Sequence, residues 1–256
     1  MGHFFFGERW MDWVTVGLLV AGALTAGFIN GFAGFGTALV ASGFWFLVLP
    51  AHVVPPLIIL AALAGQVVGL WKLSGRMDFR LSIYLISGGV LGVPVGALLL
   101  SVLDPNVVKT TIGWFLIAYA LFQLKGLPAA MVSAPEDGFA DRSIGFVGGV
   151  LGGFAGLSGV LPLIWLQLKR LSPADQRARY QPFNLFILML SAVAMVALGK
   201  VDTELMAYAG VAIPFSLLGA VVGANMFLSI SEKGFQRAVL VLLMLSGCFI
   251  VSQSLM

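Results

Sequence analysis

The tetrapeptide Gly31-Phe32-Ala33-Gly34 returns later in the chain as Gly153-Phe154-Ala155-Gly156. Two further matches follow in the same order. Pro55 pairs with Pro182, and Gly92-Val93-Pro94-Val95-Gly96 pairs with Gly219-Ala220-Val221-Val222-Gly223. One four-residue match is weak in a chain with 32 glycines, but three matches in order, at similar spacing, point to a duplication. Each half opens with an apolar stretch broken at the glycines. The arms are Val14–Phe32 with Thr37–Leu49, and Ile144–Phe154 with Leu157–Leu168. Three long apolar runs follow in each half: Val53–Trp71, Leu81–Leu103 and Val107–Leu124, then Phe183–Leu198, Leu205–Ile230 and Phe235–Val251.

Composition fixes the surroundings of these runs. Of 256 residues, 60% are hydrophobic and only 10% charged, with a mean hydropathy of +1.03. Soluble domains carry about 25% charged residues. A bilayer core about 30 Å thick asks for roughly 20 apolar residues per spanning helix, and regular runs of that length are helical rather than barrel strands. The expected class is therefore an all-α integral membrane protein. The sequence divides into a first repeat (1–124), a linker (125–143) marked by the polar stretch Lys125–Arg142, and a second repeat (144–256). The segment Met1–Asp12 lacks the charged, apolar and cleavable pattern of a signal peptide, so Val14 onward reads as membrane helix. Phe4–Phe6, Trp10 and Trp13 read as an interfacial aromatic belt.

The broken arms are unusual. Of the four, only Val14–Phe32 is long enough to span, so each pair is expected to enter the membrane, break at the GFAG sequence and return. Basic residues test this arrangement. With odd halves, Lys72, Arg76, Arg80, Lys125, Arg142, Lys169, Arg170, Arg177, Arg179, Lys233 and Arg237 share one side, leaving Arg9, Lys109 and Lys200 on the other. With even halves the 14 divide equally. Lys and Arg collect on cytoplasmic loops, so odd, inverted halves with both termini outside are expected. Inverted repeats with interrupted helices are the plan of secondary transporters, whose sites lie near the midplane between the repeats.

The Gly-rich hairpin ending in Pro50, its repeat ending in Pro162 and the acidic central linker resemble the TauE/SafE family of sulfite exporters and toluenesulfonate uptake permeases. The resemblance covers nearly the whole chain. It implies transport of sulfur-containing anions such as sulfite, sulfoacetate or other organosulfonates, in a bacterial inner membrane. The sequence departs from the Gly-Gly-rich family pattern at Phe35-Gly36-Thr37 and Leu157-Ser158-Gly159, where a substrate is expected to bind.

Candidate site residues follow from the breaks. A helix starting near Gly36-Thr37 or Ser158-Gly159 presents unpaired N–H groups and the positive end of its dipole to an anion. Gly31, Gly34, Phe35, Gly153, Gly156 and Leu157 complete the two turns. The competing reading is that these glycines only let helices pack closely. Asn30, Gln66, Gln181 and Asn184 are amides in or beside apolar runs and must face the protein interior, either as substrate ligands or as interhelical glue. Lys169, Arg170, Arg177 and Arg179 read first as cytoplasmic loop charge, and second as an electropositive entry for anions. No phosphate loop, protease-like constellation or mid-helix carboxylate occurs, which disfavours ATP drive, catalysis and a carboxylate proton relay. No metal or cofactor is expected. The expected partners are the lipid bilayer and a small anion, with no nucleic acid, and oligomeric state is left open. An uptake permease for another organic anion or a neutral solute is the alternative, and a non-catalytic structural membrane subunit is the rival from another class.

Overall fold

The computed structural model describes residues 4–6, 9–73, 79–125, 138–169 and 171–226, together with parts of 240–252. A short antiparallel ribbon, β1 (Phe4–Phe6) with β2 (Arg9–Met11), precedes the helices. Its side chains, and so most of the proposed aromatic belt, lie outside the described set. Nine helices follow among the described residues: α1 (Trp13–Ala33), α2 (Thr37–Trp45), α3 (Val54–Leu73), α4 (Phe79–Val102), α5 (Pro105–Lys125), α6 (Gly138–Ala155), α7 (Val160–Leu168), α8 (Pro173–Ala197) and α9 (Thr203–Met226). The described residues between 240 and 252 are helical as well, at the position of the last apolar run.

Five helices are long and apolar enough to cross a membrane, and α3 adds a shorter apolar stretch. The surface carries large apolar side chains such as Leu91, Val102 and Leu245, each at least two-thirds exposed, as a lipid-facing wall requires. The chain is a multi-pass membrane protein.

Three expectations need correction. The arm expected over Ile144–Phe154 is longer, because α6 reaches back to Gly138, inside the stretch read as linker. Its 18 residues cover about 27 Å. Asp141 does not end the helix, since its carboxylate is bonded to Trp165 and Lys169. In the second half, α8 begins at Pro173 rather than near Phe183. Ser172 caps it by accepting from the Asp175 amide, and proline is well suited to the first helical turn. Arg177 and Arg179 therefore lie in a helix and not in a loop, and Pro182 and Asn184 sit well inside α8 rather than at its start.

Glycine determines which helices pair. α1 packs on α9 and α4 packs on α6, with backbones so close that a methyl group on the facing glycines would overlap a carbonyl oxygen across the interface. Gly27 faces the Ser216 carbonyl and Gly31 that of Ala220, while Gly219 faces Leu24 and Gly223 faces Phe28. The other interface repeats these contacts position for position: Gly149 on Gly89, Gly153 on Val93, Gly92 on Phe146 and Gly96 on Val150. Small residues allow such approach in membranes, where packing and not the hydrophobic effect holds helices together.

Candidate functional site

The two helix breaks are built alike. Gly34 ends α1 in the left-handed region (φ 81) and its N–H returns to the Asn30 carbonyl. Gly36 (φ 98) then starts α2. Side chains rarely adopt these backbone angles, so glycine is what permits one helix to end and the next to start within three residues. In the second half Gly156 has φ 70, and α7 starts after Gly159. α2 and α7 have nine residues each, about 13 Å, too short to span.

Both short helices begin at one cavity. It is lined by Asn30, Phe35, Gly36, Thr37, Ala38, Leu39, Ala62, Gln66, Gly156, Leu157, Gly159, Val160, Asn184 and Leu188. Its free volume is ≈ 10 Å³, room for about one water molecule. The breaks touch here: a methyl built on Gly159 would lie 3.1 Å from the Phe35 Cβ. Neither helix start carries a side-chain cap. In α2 the first three amides, those of Thr37, Ala38 and Leu39, have no acceptor within the helix. α7 offers fewer donors, because Val160 bonds back to Leu157 and Pro162 has no N–H. The α2 end is thus the stronger anion cradle.

Amides fix the wall. Gln66 Nε2 donates to Asn30 Oδ1 (2.8 Å) and to the Gly34 carbonyl (2.9 Å), and Asn30 Nδ2 donates to Ala62 (3.1 Å). Asn184 Nδ2 reaches the Gly34 carbonyl at 3.4 Å, while its Oδ1 accepts from the Ser158 hydroxyl. Two buried polar atoms have no partner there, the Thr37 hydroxyl and Gln66 Oε1. No ionisable side chain is present among the described lining residues.

Beside the cavity, one face of α8 closes the end of α1. The buried Arg177 guanidinium donates to the carbonyls of Gly31 (3.1 Å) and Phe32 (3.3 Å), and its Nε donates to Gln181 Oε1 (3.0 Å). The Tyr180 hydroxyl donates to the Ala33 carbonyl. A cation and a hydroxyl thereby satisfy carbonyls that a helix end leaves open. Arg177, expected from the sequence as cytoplasmic loop charge, is instead a buried cation within α8. Its charge is placed on a helix C-terminus.

Of the sequence candidates, Asn30, Phe35, Gly36, Thr37, Gln66, Gly156, Leu157, Gly159 and Asn184 line the cavity. Gly34 and Ser158 hold its amide side chains in place. Gly31 and Gly153 do not line it; they pack α1 on α9 and α6 on α4. Gln181 is a partner of Arg177, close to Gly69. Lys169 pairs with Asp141 at 2.7 Å and lies over the Trp165 ring, so its charge is matched locally. Arg179 offers its carbonyl to Ser82, and Arg170 lies outside the described residues. Tyr180 was missed, although Arg177, Tyr180 and Asn184 share a face once α8 is known to start at its Ser172 cap.

Residues 18–250 match the family described as Sulfite exporter TauE/SafE. No curated protein and no solved structure matches the chain.

Proposed function

The chain belongs to the Sulfite exporter TauE/SafE family, and from that membership and the cavity we propose that this membrane transporter exports a small sulfur-containing anion. Sulfite or an organosulfonate such as sulfoacetate is the substrate. The observation that carries this reading is a small cavity at which two uncapped helix starts converge without a charged side chain lining it. Backbone N–H groups and helix dipoles are then the compensation available to a dehydrated anion.

Transport proceeds by alternating access. The cavity as it stands admits about one water, so a substrate enters only when the surrounding helices part. The matched glycine contacts of α1 on α9 and α6 on α4 support two halves of opposite orientation, and the division of basic residues supports both termini outside a bacterial inner membrane. An inside-negative potential expels an anion with about 2.3 kcal/mol per charge per 100 mV, so export needs no coupling ion. Vesicles containing the purified protein and radiolabelled sulfite test this. Efflux should rise with an imposed potential and need neither ATP nor sodium. Efflux that ignores the potential and follows only a pH gradient would overturn the energetic part of the proposal.

A further inference from the structure

We infer that the cavity selects a monoanion bearing its own O–H group, such as hydrogensulfite, over a fully deprotonated dianion, with Gln66 Oε1 as the acceptor of that O–H. The inference rests on the anion-export reading above and specifies which form of the anion the same site takes.

Gln66 is 2% exposed and its Oε1 has no partner. The orientation of its amide is set by groups that cannot exchange roles. The Ala62 carbonyl only accepts, so Asn30 must direct Nδ2 toward it and turn Oδ1 to Gln66. The Gly34 carbonyl also only accepts and lies 2.9 Å from Gln66 Nε2. Both constraints put Nε2 on the anchoring side, leaving Oε1 as a fixed acceptor at the cavity wall. The same cavity is lined by Thr37, whose hydroxyl is also 2% exposed and unpartnered and can donate or accept, and by the first residues of α2, whose amides only donate.

A site of donors with one fixed acceptor suits a ligand that has acceptor oxygens and one donor hydrogen. A dianion fails twice. It directs a lone pair at Gln66 Oε1, and it brings a second charge to a cavity that no charged side chain lines. α1 and α2 carry no ionisable side chain, Lys169 at the end of α7 is paired with Asp141 of α6, and Arg177 and Tyr180 of α8 are held on carbonyls of α1. The asymmetry follows from hydrogen bonding, because a buried acceptor left unmatched costs more than a matched one gains.

Equilibrium binding of sulfite and of methanesulfinate to the purified protein, from mildly acid to mildly alkaline pH, provides the test. Methanesulfinate has the pyramidal shape and single charge of hydrogensulfite, with methyl in place of hydroxyl, and keeps its charge throughout. Sulfite should bind about tenfold more tightly at acid pH and lose that advantage as hydrogensulfite deprotonates, while methanesulfinate affinity stays level. Gln66→Leu should make the two ligands bind alike, whereas Thr37→Val should weaken both and keep their ratio. Equal binding of both anions by the unaltered protein, or sulfite binding that tightens as pH rises, overturns this inference and leaves the transport proposal standing. Binding of neither anion removes both.

Discussion

Asn184 lies with its Nδ2 3.4 Å from the Gly34 carbonyl, across 150 residues of chain, while its Oδ1 accepts from Ser158. One side chain of α8 thus spans the break before α2 and the break before α7. Replacing it with leucine leaves a buried hydroxyl without its acceptor and removes a donor from Gly34. An orphaned buried group costs about 1–3 kcal/mol. Asn184→Leu should lower the thermal unfolding midpoint in detergent and abolish sulfite efflux. Unchanged efflux would separate Asn184 from the site.

Arg177 makes a second prediction. Its guanidinium satisfies two carbonyls at the end of α1, so Arg177→Met should destabilise the protein by about 1–3 kcal/mol through the bare carbonyls of Gly31 and Phe32. Arg177→Lys should recover part of this, since an ammonium keeps the charge but loses the fork. If Arg177 were only loop charge, both variants would unfold like the unaltered protein in a thermal series.

The Asp141–Lys169 pair is mostly buried and shared with Trp165. Lys169→Met strands a carboxylate, and Asp141→Leu strands an ammonium. Each should cost more than the pair replaced together, with a coupling of about 0.5–3 kcal/mol in a double-mutant cycle. Additive losses would show that the ion pair does not tie α6 to α7.

Much of the fold is legible in the sequence because apolar runs of spanning length carry their own signal, and because glycine marks both breaks. The rest depends on partners far away in the chain. Around Arg177, Arg179 and Gln181, local polarity reads as a loop, yet α8 runs through it because the Arg177 charge finds Gly31, 146 residues distant. The start of α6 hides for a related reason: Asp141 is accommodated by Lys169, 28 residues on. Within the site, the breaks and the amides Asn30, Gln66 and Asn184 are readable as glycine and buried polarity. Which glycines line the cavity and which pack helices is not, since Gly31 and Gly34 sit in one motif and do different work.

The matched glycine contacts predict matched losses. Gly27 and Gly149 meet the carbonyls of Ser216 and Gly89 in equivalent ways. Gly27→Val and Gly149→Val should each push two helices apart and reduce folded protein in the membrane to a similar degree. Gly210, which has open space around it, should accept valine with little loss. Tolerance at one member of the pair and collapse at the other would break the equivalence of the two interfaces.

Topology is open to labelling in a Cys248→Ser background. Lys125 and Arg142 are exposed near the ends of α5 and α6, and Asn106 is exposed beside the α4–α5 turn. Cysteines at 125 and 142 should react with an impermeant maleimide only from the inside, and one at 106 only from the outside. Reaction of 125 and 142 from opposite faces would contradict the expected orientation.

The most direct measurement is the position of a bound heavy analogue of the substrate. Crystals grown with selenite, measured at the selenium absorption edge, should give an anomalous peak within the cavity, in hydrogen-bond reach of the Thr37–Leu39 amides. A peak beside Lys169 or Arg177 with an empty cavity, or no peak in a crystal whose protein transports selenite, would contradict the account.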